Sequence, residues 1–175
     1  MLNAIPVSLV EHDPAWTGLA ARHAAELSIL GSNLVTVHHS GSTSIPGLLA
    51  KPIIDLLPVV ADLAALDAAM PHIEALGYEC HGEYGIPGRR FCALPGQNTR
   101  IVHLHFFEQG SEEILHNLAF REYVRAHPEI AADYAAEKRR ARHLHVDNSH
   151  GYTTEKSAFV ARTVLDALAW YSQSR

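Results

Sequence analysis

The residues best placed by type and spacing to do chemistry are the run His39-Ser40-Gly41-Ser42-Thr43 and, further along, the carboxylate of Asp55. A Gly-Ser turn offers backbone N–H groups and a hydroxyl with no bulky side chain in the way, and such a nest holds a phosphate. Asp55 sits inside the apolar run Ile53-Ile54-Asp55-Leu56-Leu57. A carboxylate in such a setting is unfavourable unless paired. It therefore calls for a partner, either a protein group or a divalent cation that bridges phosphate oxygens. The plainer alternative is a tight turn with an Asp bonded to the loop backbone.

His103 and His105 are two apart, so on a strand both imidazoles face one side. With His39 and Asp55 they would form an Asp/His metal site. Imidazole favours zinc, nickel, copper or iron, whereas magnesium prefers oxygen ligands. The competing reading is a set of neutral histidines hydrogen-bonded to Asp55 and Glu83. Arg89 and Arg90 follow a Pro-Gly turn and point to opposite faces of a strand, so at most one of them reaches the site. Guanidinium suits phosphate through two parallel bonds. Lys51, Arg121 and Lys156 complete the anion-binding candidates, against the alternative that they neutralise nearby Asp and Glu. Tyr152 and Lys156 share a helix face if their helix starts early enough. Lys138, beside Arg139, Arg140 and Arg142, reads as part of a solvated face. Ser42 lacks a Gly-x-Ser-x-Gly elbow, which argues against a serine hydrolase.

The elements that must position these groups follow from periodicity and punctuation. Asp13-Pro14 starts a helix that runs to about Leu30 and stops at Gly31. The β-branched stretch 34–39 is a strand, 40–52 a loop with at most one helical turn, and 52–60 a strand buried on both faces. Asp62 caps a helix to Leu76, ended by Gly77. Short strands follow at 78–81, 89–94 and 100–107, the last two joined by a turn at Pro95-Gly96-Gln97-Asn98. Helices are expected at 111–127, 128–145 and 153–171. This order gives an α+β fold, a mixed β-sheet with helices on one side and a C-terminal helical bundle.

The 175 residues suit a single domain, 1–175, with a sheet-containing core over 1–110 and C-terminal helices over 111–175. A chain of this length buries roughly 70% of its unfolded surface and needs no staple. A net charge of -5 disfavours the broad basic face that duplex nucleic acid requires. Cys80 and Cys92, twelve residues apart, make neither a CxxC pair nor a zinc knuckle, and read as two buried free thiols in a reducing compartment. The first residues carry no basic, then apolar, leader pattern, and no apolar run is long enough to span a bilayer. The expected location is the cytoplasm, with no membrane partner. The oligomeric state is left open.

The motifs, taken in order, resemble those of the GrpB-like family: His39 to Leu48, Ala50 to Asp55, Gly85-Ile86-Pro87-Gly88-Arg89-Arg90-Phe91, His103-Leu104-His105, Phe120-Arg121-Glu122-Tyr123, and Tyr152 with Lys156. That resemblance implies a nucleotidyltransferase fold of the polymerase-β type, in a family some of whose members are fused to dephospho-coenzyme A kinase. Active nucleotidyltransferases of this fold place a second carboxylate two residues after the first. Here that position is Leu57, and the strand expected to supply a third carries His103 and His105. The expected function is binding of a phosphorylated small molecule or nucleotide with metal-dependent nucleotidyl or phosphoryl transfer. Gly41, Ser42, Thr43, Lys51, Arg89 or Arg90, Arg121 and Lys156 would hold the ligand. Asp55 would be catalytic, and His39, Asp55, His103 and His105 would hold magnesium or a transition metal such as zinc. The alternative is a non-catalytic ligand-binding or accessory module that has lost the carboxylate pair, and a weaker third is a metal-dependent hydrolase or sensor.

Overall fold

The computed structural model describes residues 2–97 and 99–173. Five strands form a mixed sheet: β1 (Leu34–Ser40), β2 (Ile54–Val60), β3 (Glu79–Cys80), β4 (Arg90–Gly96) and β5 (Thr99–Glu108). Their spatial order is β1-β2-β5-β4-β3. β2 and β5 run parallel at the centre, and the remaining neighbours pair antiparallel. Five helices accompany them: α1 (Ala15–Glu26), α2 (Leu63–Ala75), α3 (Glu112–Ala126), α4 (Pro128–Leu144) and α5 (Ser149–Gln173).

The two faces of the sheet differ in chemistry. Ile54, Leu56, Val102, Leu104 and Phe106 alternate onto one face and form the main core with Trp16 and Ala20 of α1 and Leu66 and Ile73 of α2. Each such side chain contributes about 1.5–3 kcal/mol by leaving water. The other face presents Asp55, His103, His105 and Phe91 to a cavity whose far wall is made by α4 and α5. Helices thus lie on both sides of the sheet, not on one as the element order suggested. A polar face cannot be sealed by close-packed apolar helices, so the C-terminal helices build their own core. Phe120, Val124, Ile130, Tyr134 and Phe159 do so, and they anchor Ile45 and Leu48 of the loop after β1.

Local departures from expectation have simple causes. The first α-helix ends at Glu26 and tightens into a 3₁₀ stretch over Leu27–Asn33. Three residues per turn put the buried Leu27 and Leu30 on one side, and Gly31 then turns with φ 56°. Helix α5 starts four residues before the expected Thr153, because Asn148 Oδ1 accepts from the N–H groups of His150 and Gly151. The turn between β4 and β5 is present through Gln97, while Asn98 lies outside the described residues. Cys80 and Cys92 are not free thiols. Antiparallel pairing of β3 with β4 sets them directly opposite, with Cα atoms 4.1 Å apart, and they form a disulfide. Linear spacing carried no sign of this, since the pairing depends on how the intervening turn folds back. Among the described residues, no helix is long and apolar enough to cross a membrane.

Candidate functional site

Three strands deliver the core of the site. In the parallel ladder Asp55 lies beside His103, and in the antiparallel one His105 lies beside Phe91. All four side chains therefore share a face. Asp55 Oδ1 accepts from His103 Nδ1 at 3.1 Å and from His105 Nε2 at 3.3 Å. Arg89 Nη1 lies 3.4 Å from His105 Nδ1, so the guanidinium donates to one ring nitrogen while the other donates to Asp55. Burial alone would push the Asp55 carboxyl up. The hydrogen bonds from both imidazoles, and their charge, outweigh it and hold the carboxyl well below the usual range. Burial lowers the pKa of His103, with Asp55 opposing the shift.

The loop after β1 passes directly against this carboxylate. Gly41 has φ 64°, and a Cβ there would collide with the Asp55 side chain. Glycine is thus required twice, by conformation and by contact. Ser44 Oγ donates to Gly41 O at 2.6 Å, and Arg125 Nη2 donates to Ser44 O at 2.6 Å, which ties the turn to α3. Ser42 reaches the cavity. Thr43 is buried and hydrogen-bonded to His39 Nε2 at 3.0 Å.

The cavity encloses about 550 Å³. Five cationic side chains line it, from five different segments: Lys51, Arg89, Arg100, Lys138 and Lys156. Asp55 is the only carboxylate among the lining residues. Four of the five bond to neutral acceptors. Arg89 donates to the carbonyls of Glu83 and Tyr84, Arg100 to that of Asn3, Lys138 to that of Leu49, and Lys156 to the Tyr134 hydroxyl. The Lys51 ammonium lies 5.3 Å from the centre of the Tyr152 ring. Burial lowers the Lys51 pKa to about 8, against the pull of Asp55 and with help from Lys156 and Arg100.

The expected site residues therefore divide. Ser42, Lys51, Asp55, Arg89, His103, His105 and Lys156 converge on the cavity, with Gly41 directly behind Asp55. Arg90 points away and clamps Asp67 through two bonds of 2.6 and 2.7 Å, as alternation along a strand requires. Arg121 donates to His39 O and pairs with Glu122, bracing α3 on β1. His39 lies outside the ligand cluster of Asp55, His103 and His105, on the residue after His38 and before the Asp55 partner Ser40. Burial, followed among the lowering causes by Arg125 and Arg121, lowers its pKa to about 4 and keeps it neutral. Lys138 is not on a solvated face. It is 1% exposed. Helical spacing from the buried Tyr134 to Lys138 and Ala141 was the signal that separated it from its arginine neighbours. Arg100 gave no comparable signal.

The cluster suits a metal. Ligand atoms of Asp55, His103 and His105 all lie within 4.8 Å of one another. Tetrahedral zinc bonds of 2.0–2.1 Å hold neighbouring ligand atoms about 3.3 Å apart, close to the Asp–His separations here. His103 Nε2 is buried with no hydrogen-bond partner among the described residues, so that ring has hydrogen-bonding capacity to spare.

This sheet order is nucleotidyltransferase-like in fold. The same architecture appears in the crystal structure of the Cid1 poly(U) polymerase, which matches with a TM-score of 0.53 over 81% of this chain and 45% of that one, at 13% identity, a likeness of fold alone. Within that class the chain belongs to the GrpB family, whose model matches residues 6–165. The crystal structure of the conserved protein GrpB from Enterococcus faecalis matches with a TM-score of 0.88 and 38% identity, covering 94% of this chain and 99% of that one. A UPF0157 protein of Bacillus subtilis is 36% identical over 165 residues, 94% of this chain, and this chain spans 48% of that relative's length.

Proposed function

We propose that the cavity binds a phosphorylated small molecule or nucleotide, with a divalent cation held by Asp55, His103 and His105. The observation that carries this reading is the set of five cations facing one carboxylate, none of them paired with an acid among the described residues. Buried positive charge without a counter-ion is unfavourable, and an anionic ligand relieves it. The histidines select a transition metal over magnesium. When bound, that metal would polarise a phosphate oxygen. Ser42 and the amides of its turn, Lys51 and Lys156 would orient the phosphate. Holding a metal through His105 Nε2 turns Nδ1 into a donor. The 3.4 Å contact from Arg89 must then open, freeing that guanidinium for the ligand.

A melting-temperature panel tests the reading. Inorganic phosphate, nucleoside phosphates, zinc, manganese and magnesium are each added to the protein. Binding to the folded state raises the melting temperature by mass action, so phosphate and zinc should each raise it and zinc should exceed magnesium. No shift with any phosphate compound refutes the proposal.

One observation favours binding without transfer. Leu57, where a second carboxylate would stand, is 0% exposed and lies beside His38 of β1 in the sheet. Two-metal transfer has no second ligand there. Incubation with nucleoside triphosphates and manganese or zinc separates the two: released pyrophosphate supports transfer, and its absence alongside tight binding supports an accessory module.

A further inference from the structure

The chain contains only three lysines, Lys51, Lys138 and Lys156, and all three line this one cavity. Every other cation is arginine, including Arg89 and Arg100 in the same cavity. Positive charge alone is therefore not what lysine supplies here. Lysine differs from arginine in having an amine that can lose its proton and act as a nucleophile.

The three amines share two tyrosine rings. Lys138 Nζ lies 4.5 Å from the Tyr134 ring centre, Lys156 Nζ 5.8 Å from the same ring and 5.7 Å from that of Tyr152, and Lys51 Nζ 5.3 Å from Tyr152. Lys138 is the innermost, 1% exposed, and is steered by a 2.6 Å hydrogen bond to Leu49 O. Among the described residues no carboxylate pairs with it. Asp55 is the one acid that pulls its pKa upward, while Lys156 and Lys51 push it down. Burial, then Lys156, then Lys51, outweigh Asp55 and hold the amine well below the usual lysine range. A neighbouring cation and a desolvated pocket are the conditions that make a lysine nucleophilic near neutral pH.

We infer that Lys138 is a carbonyl-reactive amine, and that the cavity takes an aldehyde or ketone carrying a phosphate group. This rests on the reading that the cavity binds phosphorylated ligands. The Lys138 lone pair attacks the carbonyl carbon, and the C=O π pair moves to oxygen. The oxygen then leaves as water with the two amine protons, and a C=N bond remains. Nothing is oxidised or reduced, and hydrolysis reverses the step. Lys156, which shares the Tyr134 ring with Lys138, would hold the phosphate of the same molecule.

Pyridoxal 5′-phosphate, a phosphorylated aldehyde, is a direct probe. The protein is incubated with it at pH 7.5, reduced with borohydride, digested and mapped by mass spectrometry, while phosphate binding is followed in parallel by melting temperature. The expected result is an adduct on Lys138 that excess inorganic phosphate suppresses, and that Lys138→Arg loses while its circular dichroism matches that of the wild type. If the Arg variant does not fold, the wild-type adduct map and its competition by phosphate decide the matter. Labelling spread over the three lysines, or no adduct in a protein that phosphate does stabilise, overturns the imine and leaves phosphate binding standing. An adduct on Lys138 that phosphate does not suppress overturns the phosphorylated class of ligand. Neither adduct nor phosphate stabilisation overturns both readings together.

Discussion

At the scale of single residues, Asp55 is the hinge of the site because each of its neighbours depends on its charge. It accepts from His103 and His105, and the Gly41 turn leaves it room. Asp55→Asn keeps the shape and removes the anion. Zinc affinity should fall by at least about 100-fold, since even outer-shell partners of a ligand cost 10–100-fold when lost. The fold should persist, as an amide tolerates burial better than an unpaired carboxylate. Calorimetric zinc titration with a circular dichroism control reads both, and unchanged affinity would make Asp55 structural. Gly41→Ala tests the other side of the contact. It meets a positive φ and the Asp55 carboxylate at once, so about 1–3 kcal/mol of destabilisation is expected in urea melts, with zinc binding weakened as Asp55 is displaced.

At the scale of elements, β2 shows how a strand can keep a fold and change its chemistry. Its alternation sends Asp55 and Leu57 to one face, yet Asp55 faces the cavity while Leu57 is fully buried and does not line it. Leu57→Asp therefore should not restore a carboxylate pair. It should destabilise the protein by about 3 kcal/mol or more, because the new charge has no solvent and no partner. A stable variant that binds a second metal would contradict this account. The turn from Gly82 to Gly88 is governed from the next strand in a similar way. Arg89 pins it through the carbonyls of Glu83 and Tyr84, and Tyr84 stacks on Phe91 with ring centres 5.0 Å apart.

At the scale of the whole molecule, a body of net charge -5 encloses a cavity lined by five cations. Under the proposed function, that contrast would favour small anions over duplex nucleic acid. It also gives a pH dependence with a definite sign. The Lys51 pKa, about 8 in the folded protein, is below the unfolded value of about 10.4. Between those two values the unfolded chain binds more protons, so this group's contribution to stability rises with pH across that window. Phosphate affinity should move the other way, weakening as pH climbs through 8 and the ammonium is lost. Calorimetry at pH 7 and pH 9 checks the second statement and denaturant melts at pH 8 and pH 10 the first. Tighter phosphate binding at pH 9 would remove Lys51 from the site.

The sequence by itself determined the elements and one layer of the site. Periodicity, caps and glycines are local, so β1, β2, β4, β5 and the helices fell close to their expected places. The alternation of side chains along a strand was enough to pair His103 with His105 on one face and to send Arg89 and Arg90 apart. Whatever depended on which segments meet was decided only by the tertiary structure. The disulfide exists because β3 lies against β4 in one register. His39, in the same motif as Gly41, left the ligand cluster for Thr43. Arg121 went to a structural bond with the His39 carbonyl. Lys138, in a run of arginines, turned inward because α4 packs with its Tyr134 side against the loop and α5. Local sequence fixes what a residue can do within its own turn or strand. Charge and burial are fixed by groups tens of residues away, and those come together only when the chain has folded.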